Sequence, residues 1–419
     1  MEFWNLFMVA LMPVVKVLLI TALGTILAIQ RFGILGDTAR KNLNHMVFYV
    51  FGPAIVCSSL AKTITLKNVV ILWFMPVNVL LTFLIGTALG WLLIKIIRVP
   101  LHLHGLVLGC CAAGNVGNLP LIIVPAVCKK RNNSFGDVDV CKKNALAYAS
   151  LSMALGSIYI WSYVYNIVRI YSSKVSSVDD SKVKAVIIAT ENDDIDSENP
   201  SKLITVDDKS QTNDHVKQLE IESVVSHQQI AKISSTKQKI RNQIKVLAEK
   251  INLKVLFAPA TIGTIIGLII GIVPQFRKVL VDENAPLFVI QDSLVMLGDA
   301  AIPAMTLLVG ANLVKGLEGV RKQLPLVIGI TIVRFIALPA IGIGIVKGAT
   351  HFGLIHHDPL YQFLLLLQFA LPPAVAMSTM VQLFGGGEGE CSVIMLATYS
   401  CAAVSLTLWC TFFVWLVLS

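Results

Sequence analysis

The chain has 419 residues, of which 55% are hydrophobic and 14% charged, with a mean hydropathy of +0.75. Water-soluble domains hold roughly 45–50% apolar residues, so this composition excludes one and points to a bilayer. The formal charge of +9 does not call for nucleic acid: residues 172–252 carry 12 Lys/Arg against 13 Asp/Glu, so the positive excess lies beside the apolar runs, as headgroup contacts.

A membrane helix needs roughly 20 apolar residues. The runs here are long and apolar on every face, unlike the short alternating strands of an outer-membrane barrel. The first, residues 6–29, begins too early and is too long for a cleavable signal peptide, so it is expected to remain as span one. Spans at about 43–61, 69–97, 103–127 and 145–170 follow, closing an N-terminal five-span repeat over residues 1–171.

Residues 172–252 change character, with no aromatic residue and the acidic patch ENDDIDSEN at 191–199. Such a segment buries too little apolar surface to offset its ordering entropy, and a mostly disordered hydrophilic loop is expected. Toward its end Ile233, Ile240, Ile244, Leu247 and Ile251 recur at helical spacing among Lys237, Lys239, Arg241, Lys245 and Lys250, the pattern of a basic amphipathic helix on a membrane surface. Spans at about 253–273, 286–314, 324–346, 360–384 and 391–418 make a C-terminal five-span repeat over 253–419.

Duplicating an odd number of spans inserts the second copy upside down, the inverted-repeat architecture of many secondary transporters. Pro53 and Pro303 lie 250 residues apart, and so do LAYAS at 146–150 and LATYS at 396–400. The expected fold is therefore all-α and polytopic, with ten transmembrane helices as two inverted five-helix repeats.

Broken helices survive in lipid only where they line a cavity or are buried in protein. Span four is interrupted by GNVGNLPLIIVP at 114–125 and span nine by QFALPPAV at 368–375, so the breaks fall in corresponding spans of the two halves. That pairing is the sequence signature of a transporter binding site. Each break is expected to expose unpaired N–H groups and the positive end of a half-helix, where an anion is held. Asn115 and Asn118 add uncharged amide donors, and Gln368, one turn before the second break, is a candidate lining residue.

Other polar residues divide between structural and site roles. Lys16 is close enough to a span end to snorkel. Arg334, deep in span eight, is a candidate partner for Asp299 in span seven, as a structural ion pair or a coupling site. Asn312 is expected to bond a neighbouring helix. Of the span-five aromatics Tyr148, Tyr159, Trp161, Tyr163 and Tyr165, Tyr148 is the one considered as a ring contact for substrate. The breaks hold no Asp, Glu or His, which favours downhill movement of an organic anion without sodium or obligatory protons; Asp299 keeps a proton-coupled route open. No GxSxG, HExxH or Cys/His metal spacing occurs, so neither an enzyme, a metal site nor a cofactor is expected.

The segments MPVVKVLL at 12–19, GNVGNLP at 114–120, AIPAMTLLVGANL at 301–313 and FALPPAVAM at 369–377 together resemble the auxin efflux carrier superfamily, most closely the plant PIN-LIKES family of the endoplasmic reticulum. The resemblance covers both membrane halves. It implies that spans four and nine cross at their breaks, that the substrate is indole-3-acetate, and that its carboxylate is held at the position of Asn115. Asn118 has no such counterpart. The breaks are marked by Gly114, Gly117, Pro120, Pro372 and Pro373, of which Pro120 and Pro372 match the family's broken-helix prolines. An elevator motion against a dimerising scaffold is implied, as are an endoplasmic reticulum location, a cytosolic middle loop and lumenal termini. Local Lys/Arg counts do not fix orientation. The implied topology puts Cys128 and Cys141 in an oxidising lumen, where a disulfide between them is expected. Rival readings are a carrier of another small organic anion, or a membrane receptor or scaffold.

Overall fold

The computed structural model describes residues 2–64, 72–128, 135–173, 259–282, 285–316, 320–355 and 358–419. The chain divides into two compact units, 1–176 with 257–419, and 177–256; the described residues all belong to the first. The acidic patch and basic amphipathic segment expected within 172–252 lie outside the described residues, and so does the side chain of Asn118.

Backbone polar groups in lipid must be satisfied within the protein, and helix is the predominant outcome among the described residues. In chain order the helices are α1 (Glu2–Ala28), α2 (Asp37–Met46), α3 (Gly52–Thr63), α4 (Phe74–Ile97), α5 (His104–Ala112), α6 (Asn118–Val127), α7 (Val138–Tyr159), α8 (Pro259–Ile272) and α9 (Pro274–Leu280). They continue with α10 (Phe288–Asp299), α11 (Ala301–Gly316), α12 (Val320–Ile332), α13 (Leu338–His351), α14 (Pro359–Leu367), α15 (Ala376–Phe384) and α16 (Glu388–Leu418). Among the described residues, six stretches are long and apolar enough to cross a bilayer: 37–63, 74–97, 138–173, 288–314, 323–351 and 388–418. The α8–α9 pair, bent by 100°, adds a seventh if it is one span. The protein is a multi-pass helical membrane protein.

Two of the long spans change pitch ahead of a proline. Wide π-helical turns occupy Val47–Phe51 and Val333–Ala337, shortly before Pro53 and Pro339. Proline has no N–H, and its ring clashes with the carbonyl four residues earlier, so the helix widens there to continue. The second turn carries Arg334 inward, to 0% exposure.

Glycines bring helix backbones into contact along several seams. On α8 a Cβ at Gly263, Gly267 or Gly271 would meet the carbonyl oxygens of Pro53, Cys57 and Ile64 on the α3 side at 2.7 Å in each case. Glycine at every fourth position is what permits so close a helix pair in a membrane. The same device joins α1 to α11, where a Cβ at Gly310 would strike the backbone of Thr21, and Thr25 Oγ1 donates to the Gly310 carbonyl at 2.9 Å. Side chains fill the rest of the interior, with Phe83, Phe363, Phe369 and Phe413 at 0% exposure. Cys128, at the end of α6, is disulfide-bonded to Cys141 in the first turn of α7, with Cα atoms 5.7 Å apart.

Candidate functional site

Helices α5 and α6 have 9 and 10 residues, and α14 and α15 have 9 each. At 1.5 Å per residue each covers roughly 14–15 Å, about half the hydrocarbon thickness. The chain between the halves of each pair is extended, and the two extended segments lie against each other. Gly114 and Pro373 form an antiparallel bridge, the Asn115 N–H donates to the Pro372 carbonyl at 2.8 Å, and the Ala374 N–H donates to the Ala113 carbonyl at 2.9 Å.

This pairing modifies the expectation of free N–H groups. Two donors of the breaks are satisfied by the opposite break, and Pro372 and Pro373 have none to give. The positive pole remains in the N-terminal ends of α6 and α15, which start on either side of the crossing. Pro120 is the third residue of α6, inside its first turn where the missing N–H is tolerated, so the break proper is Ala113 to Gly117.

Arg334 holds the crossing together. Its Nε donates to the Leu371 carbonyl at 2.9 Å and Nη1 to the Cys111 carbonyl at 3.0 Å, while Nη2 also bonds Leu371. Cys111 lies in the last turn of α5, whose orphan carbonyls carry the negative end of the helix dipole. The guanidinium fork thus spans both breaks. Gly114 makes room for it, since a Cβ there would land on Nη2. The expected pairing of Arg334 with Asp299 does not form. Asp299 is exposed at the end of α10, whereas Arg334 directs its donors to backbone carbonyls. The physical reason is that the π-turn aims residue 334 at the crossover and away from α10.

Asn115 is buried, and its amide Nδ2 donates to the Tyr399 hydroxyl at 2.7 Å. Tyr399 in turn donates to the Pro373 carbonyl at 3.1 Å. The second hydrogen of the Asn115 amide is not needed for that contact. Tyr399 lies on the wall of a cleft lined also by Val17, Thr21, Thr306, Val375 and Met395, from α1, α11, α16 and the second break. Room for the centre of a water molecule there amounts to about 10 Å³, about enough for one water. In this conformation the cleft is closed to anything larger.

The other expected site residues lie elsewhere. Gln368 is fully buried and absent from the cleft wall; its Oε1 accepts from Asn78 Nδ2 at 2.7 Å and its Nε2 donates to Ser152 Oγ at 2.8 Å. Ser152 Oγ continues to the Val116 carbonyl at 3.3 Å, so the chain of bonds runs from α4 through the second break to α7 and the first break. Gln368 is therefore a positioning residue, saturated by protein partners. Tyr148 donates to Asp358 Oδ2 at 2.8 Å, and Asp358 caps the start of α14. A whole half-helix, roughly 14 Å, separates that cap from the break. Tyr148 is thus at the mouth of the fold and not at the crossing. Tyr159 and Tyr163 bond the Pro76 carbonyl and Thr87 Oγ1 across the packed interior, Lys16 is exposed on α1, and Asn312 is buried.

Tyr399, Asn78 and Ser152 were not singled out in the sequence. Tyr399 stands in LATYS, the second copy of the repeated pentapeptide, where the copy bearing Tyr148 had drawn the attention. Asn78 is a lone amide in the apolar run 74–94, a place where polar residues are expensive and have a function.

A crossed pair of broken helices clamped by a buried cation, beside a narrow cleft, is the form that membrane transporters give a binding site. The chain matches the membrane transport protein family over residues 9–410. It is similar to Protein PIN-LIKES 1 of Arabidopsis thaliana, 46% identical over 100% of this chain and 81% of the relative, and to Protein PIN-LIKES 3 of the same plant, 46% identical over 99% and 98%. An uncharacterized transporter of Schizosaccharomyces pombe is 22% identical over 95% of this chain and 92% of its own length. The chain belongs to the membrane transport protein family of auxin efflux carriers, in its PIN-LIKES branch, and is a transporter and not an enzyme.

Proposed function

We propose that the protein carries the indole-3-acetate anion across the endoplasmic reticulum membrane and so controls the distribution of auxin inside the cell. The observation that carries this reading is the Asn115 amide, buried at the crossing of two broken helices behind the cleft wall and hydrogen-bonded to Tyr399, which lines that wall. A carboxylate there meets an uncharged donor, the N-terminal ends of α6 and α15, and the buried charge of Arg334, without a second cation having to be desolvated. An apolar wall of Val17, Val375 and Met395 suits an aromatic ring.

The wider architecture is ten spans in two inverted five-helix repeats. Supporting it, the halves interlock in reciprocal fashion: the second span packs on α8 and the first on α11, each through glycine. Both repeats break their fourth span. Transport is of the elevator type, with α1, α3, α8 and α11 forming a scaffold through which two copies associate, and the crossing helices moving against it. The middle loop faces the cytosol and the termini the lumen. The anion moves down its electrochemical gradient, since the breaks contain no carboxylate or histidine to relay a proton.

The test is uptake of labelled indole-3-acetate into vesicles containing the purified protein, alongside Asn115→Ala, under an imposed voltage or pH gradient. Saturable uptake that depends on voltage, and that in the variant persists only with a much raised KM, is expected. Dependence on the pH gradient alone would replace the uniport with proton coupling. Absence of uptake by folded protein would reassign the cleft to another organic anion.

A further inference from the structure

Where the second span, α11 and α15 meet, four buried oxygen atoms have no hydrogen-bond partner among the described residues: Asn44 Oδ1, Asn312 Oδ1, Thr379 Oγ1 and Gln382 Oε1. Asn44, Asn312 and Thr379 are each no more than 1% exposed. Hydrogen bonds join the elements that carry them. Asn44 Nδ2 donates to the Thr379 carbonyl at 3.2 Å, and Gln382 stands one turn further along the same face of α15. One turn before Asn44, Arg40 Nη1 donates to the carbonyl of Ala311 at 2.8 Å, which draws the neighbouring Asn312 to the same junction. The bond from Asn44 Nδ2 also fixes its amide orientation, leaving the oxygen as the free atom.

A buried polar oxygen without a partner is costly, and four on adjoining elements point to a ligand between them. The ligand is not an anion, because three of the four atoms are amide oxygens, which repel one. It is not a divalent metal, since such sites rely on carboxylates, and the nearby Asp37 is already paired with Arg40. Neutral oxygens beside the negative C-terminal end of a half-helix are the ligand set for a monovalent cation. We propose that this junction binds a monovalent alkali cation, sodium or potassium, through the side-chain oxygens of Asn44, Asn312, Thr379 and Gln382. The cation ties α15, the second half of the broken span, to the second span and α11. It is a fixed ligand of one conformation and not a carried ion, so it is compatible with voltage-driven uniport.

The test measures the unfolding of purified full-length protein by tryptophan fluorescence in sodium chloride, potassium chloride and N-methylglucamine chloride at equal ionic strength, with no organic anion present. The expected result is a saturable rise of about 2–4 °C in the midpoint with sodium or potassium over N-methylglucamine, the larger of the two shifts naming the ion. Asn312→Leu, close in volume and lacking the oxygen, is expected to abolish the difference between salts. Asn312→Asp keeps the shape and adds a charge, and is expected to reach half-saturation at a several-fold lower concentration, which keeps the test decisive if the leucine variant does not fold. Equal midpoints in the three salts would overturn the proposal, and so would a cation-specific shift unchanged in both variants.

Discussion

Tyr399→Phe removes one oxygen atom from the site and nothing else. That oxygen accepts from Asn115 Nδ2 at 2.7 Å and donates to the Pro373 carbonyl at 3.1 Å, so two buried hydrogen bonds go with it. At a net value of about 0.5–1.5 kcal/mol each, the change amounts to about 1–3 kcal/mol. Part of this falls on stability. The rest falls on the orientation of the Asn115 amide, which then has no fixed partner on the cleft side. If the amide holds the carboxylate, losing about 1.4 kcal/mol of its preorganisation raises the KM for indole-3-acetate roughly tenfold. The assay is vesicle uptake over a concentration series for Tyr399→Phe, Asn115→Ala and the double variant, with each KM converted to a free energy. Because tyrosine is argued to act through asparagine, the phenylalanine change should have little further effect once Asn115 is alanine, giving a coupling of about 1 kcal/mol or more. Additive effects in the double variant would refute the reasoning, since they would mean the two side chains meet the substrate independently.

Arg334→Lys keeps the charge but loses the fork, and one ammonium cannot serve the Leu371 and Cys111 carbonyls as the guanidinium does. A loss of about 1–3 kcal/mol is expected from the acceptor left over, seen as a lower unfolding midpoint in detergent; an unchanged midpoint would show that the crossing does not need the clamp. Gly114→Ala pushes a methyl group onto Arg334 Nη2 and should reduce uptake more than Gly348→Ala, whose Cβ meets nothing within 4 Å. Cys141→Ser opens a disulfide that closes a 13-residue separation, worth on the order of 3 kcal/mol. Thiol labelling of Cys128 should then appear without reductant, and equal labelling of the unaltered protein with and without reductant would remove the bond.

The spans were legible because a bilayer admits few alternatives: long apolar runs must be helices, and the predicted spans at 43–61, 286–314 and 391–418 fall within or beside 37–63, 288–314 and 388–418. Boundaries drifted where a polar turn continues the helix, as at Asp37 to Lys41, because a buried Arg40 bonded to the Ala311 carbonyl cannot be told from a loop arginine by sequence. The breaks were visible in Gly114, Gly117, Pro372 and Pro373. What they pair with was not, because antiparallel pairing of segments over 250 residues apart leaves no local trace. The choice of Asp299 for Arg334 followed the rule that buried charges seek opposite charges. The structure satisfies the guanidinium with carbonyl dipoles, which every residue owns and no side-chain pattern reveals. Gln368 lies at the start of a break, yet its two amide ends bond Asn78 and Ser152, residues from spans that only the fold brings near.

The glycine seams decide where mechanical compliance is located. Where backbone rests on backbone, as between α8 and α3, a slip of one residue would drive a side chain into a peptide group. Such pairs behave as single girders. Interfaces filled by side chains, such as the narrow cleft where α16 and Val375 face the α1–α11 pair, deform by rotamer changes instead. Widening the cleft for a two-ring anion is thus channelled into the joint that lacks the glycine lock, and a bulky residue at Gly267 would be felt as distorted girder spacing even at a distance from Asn115.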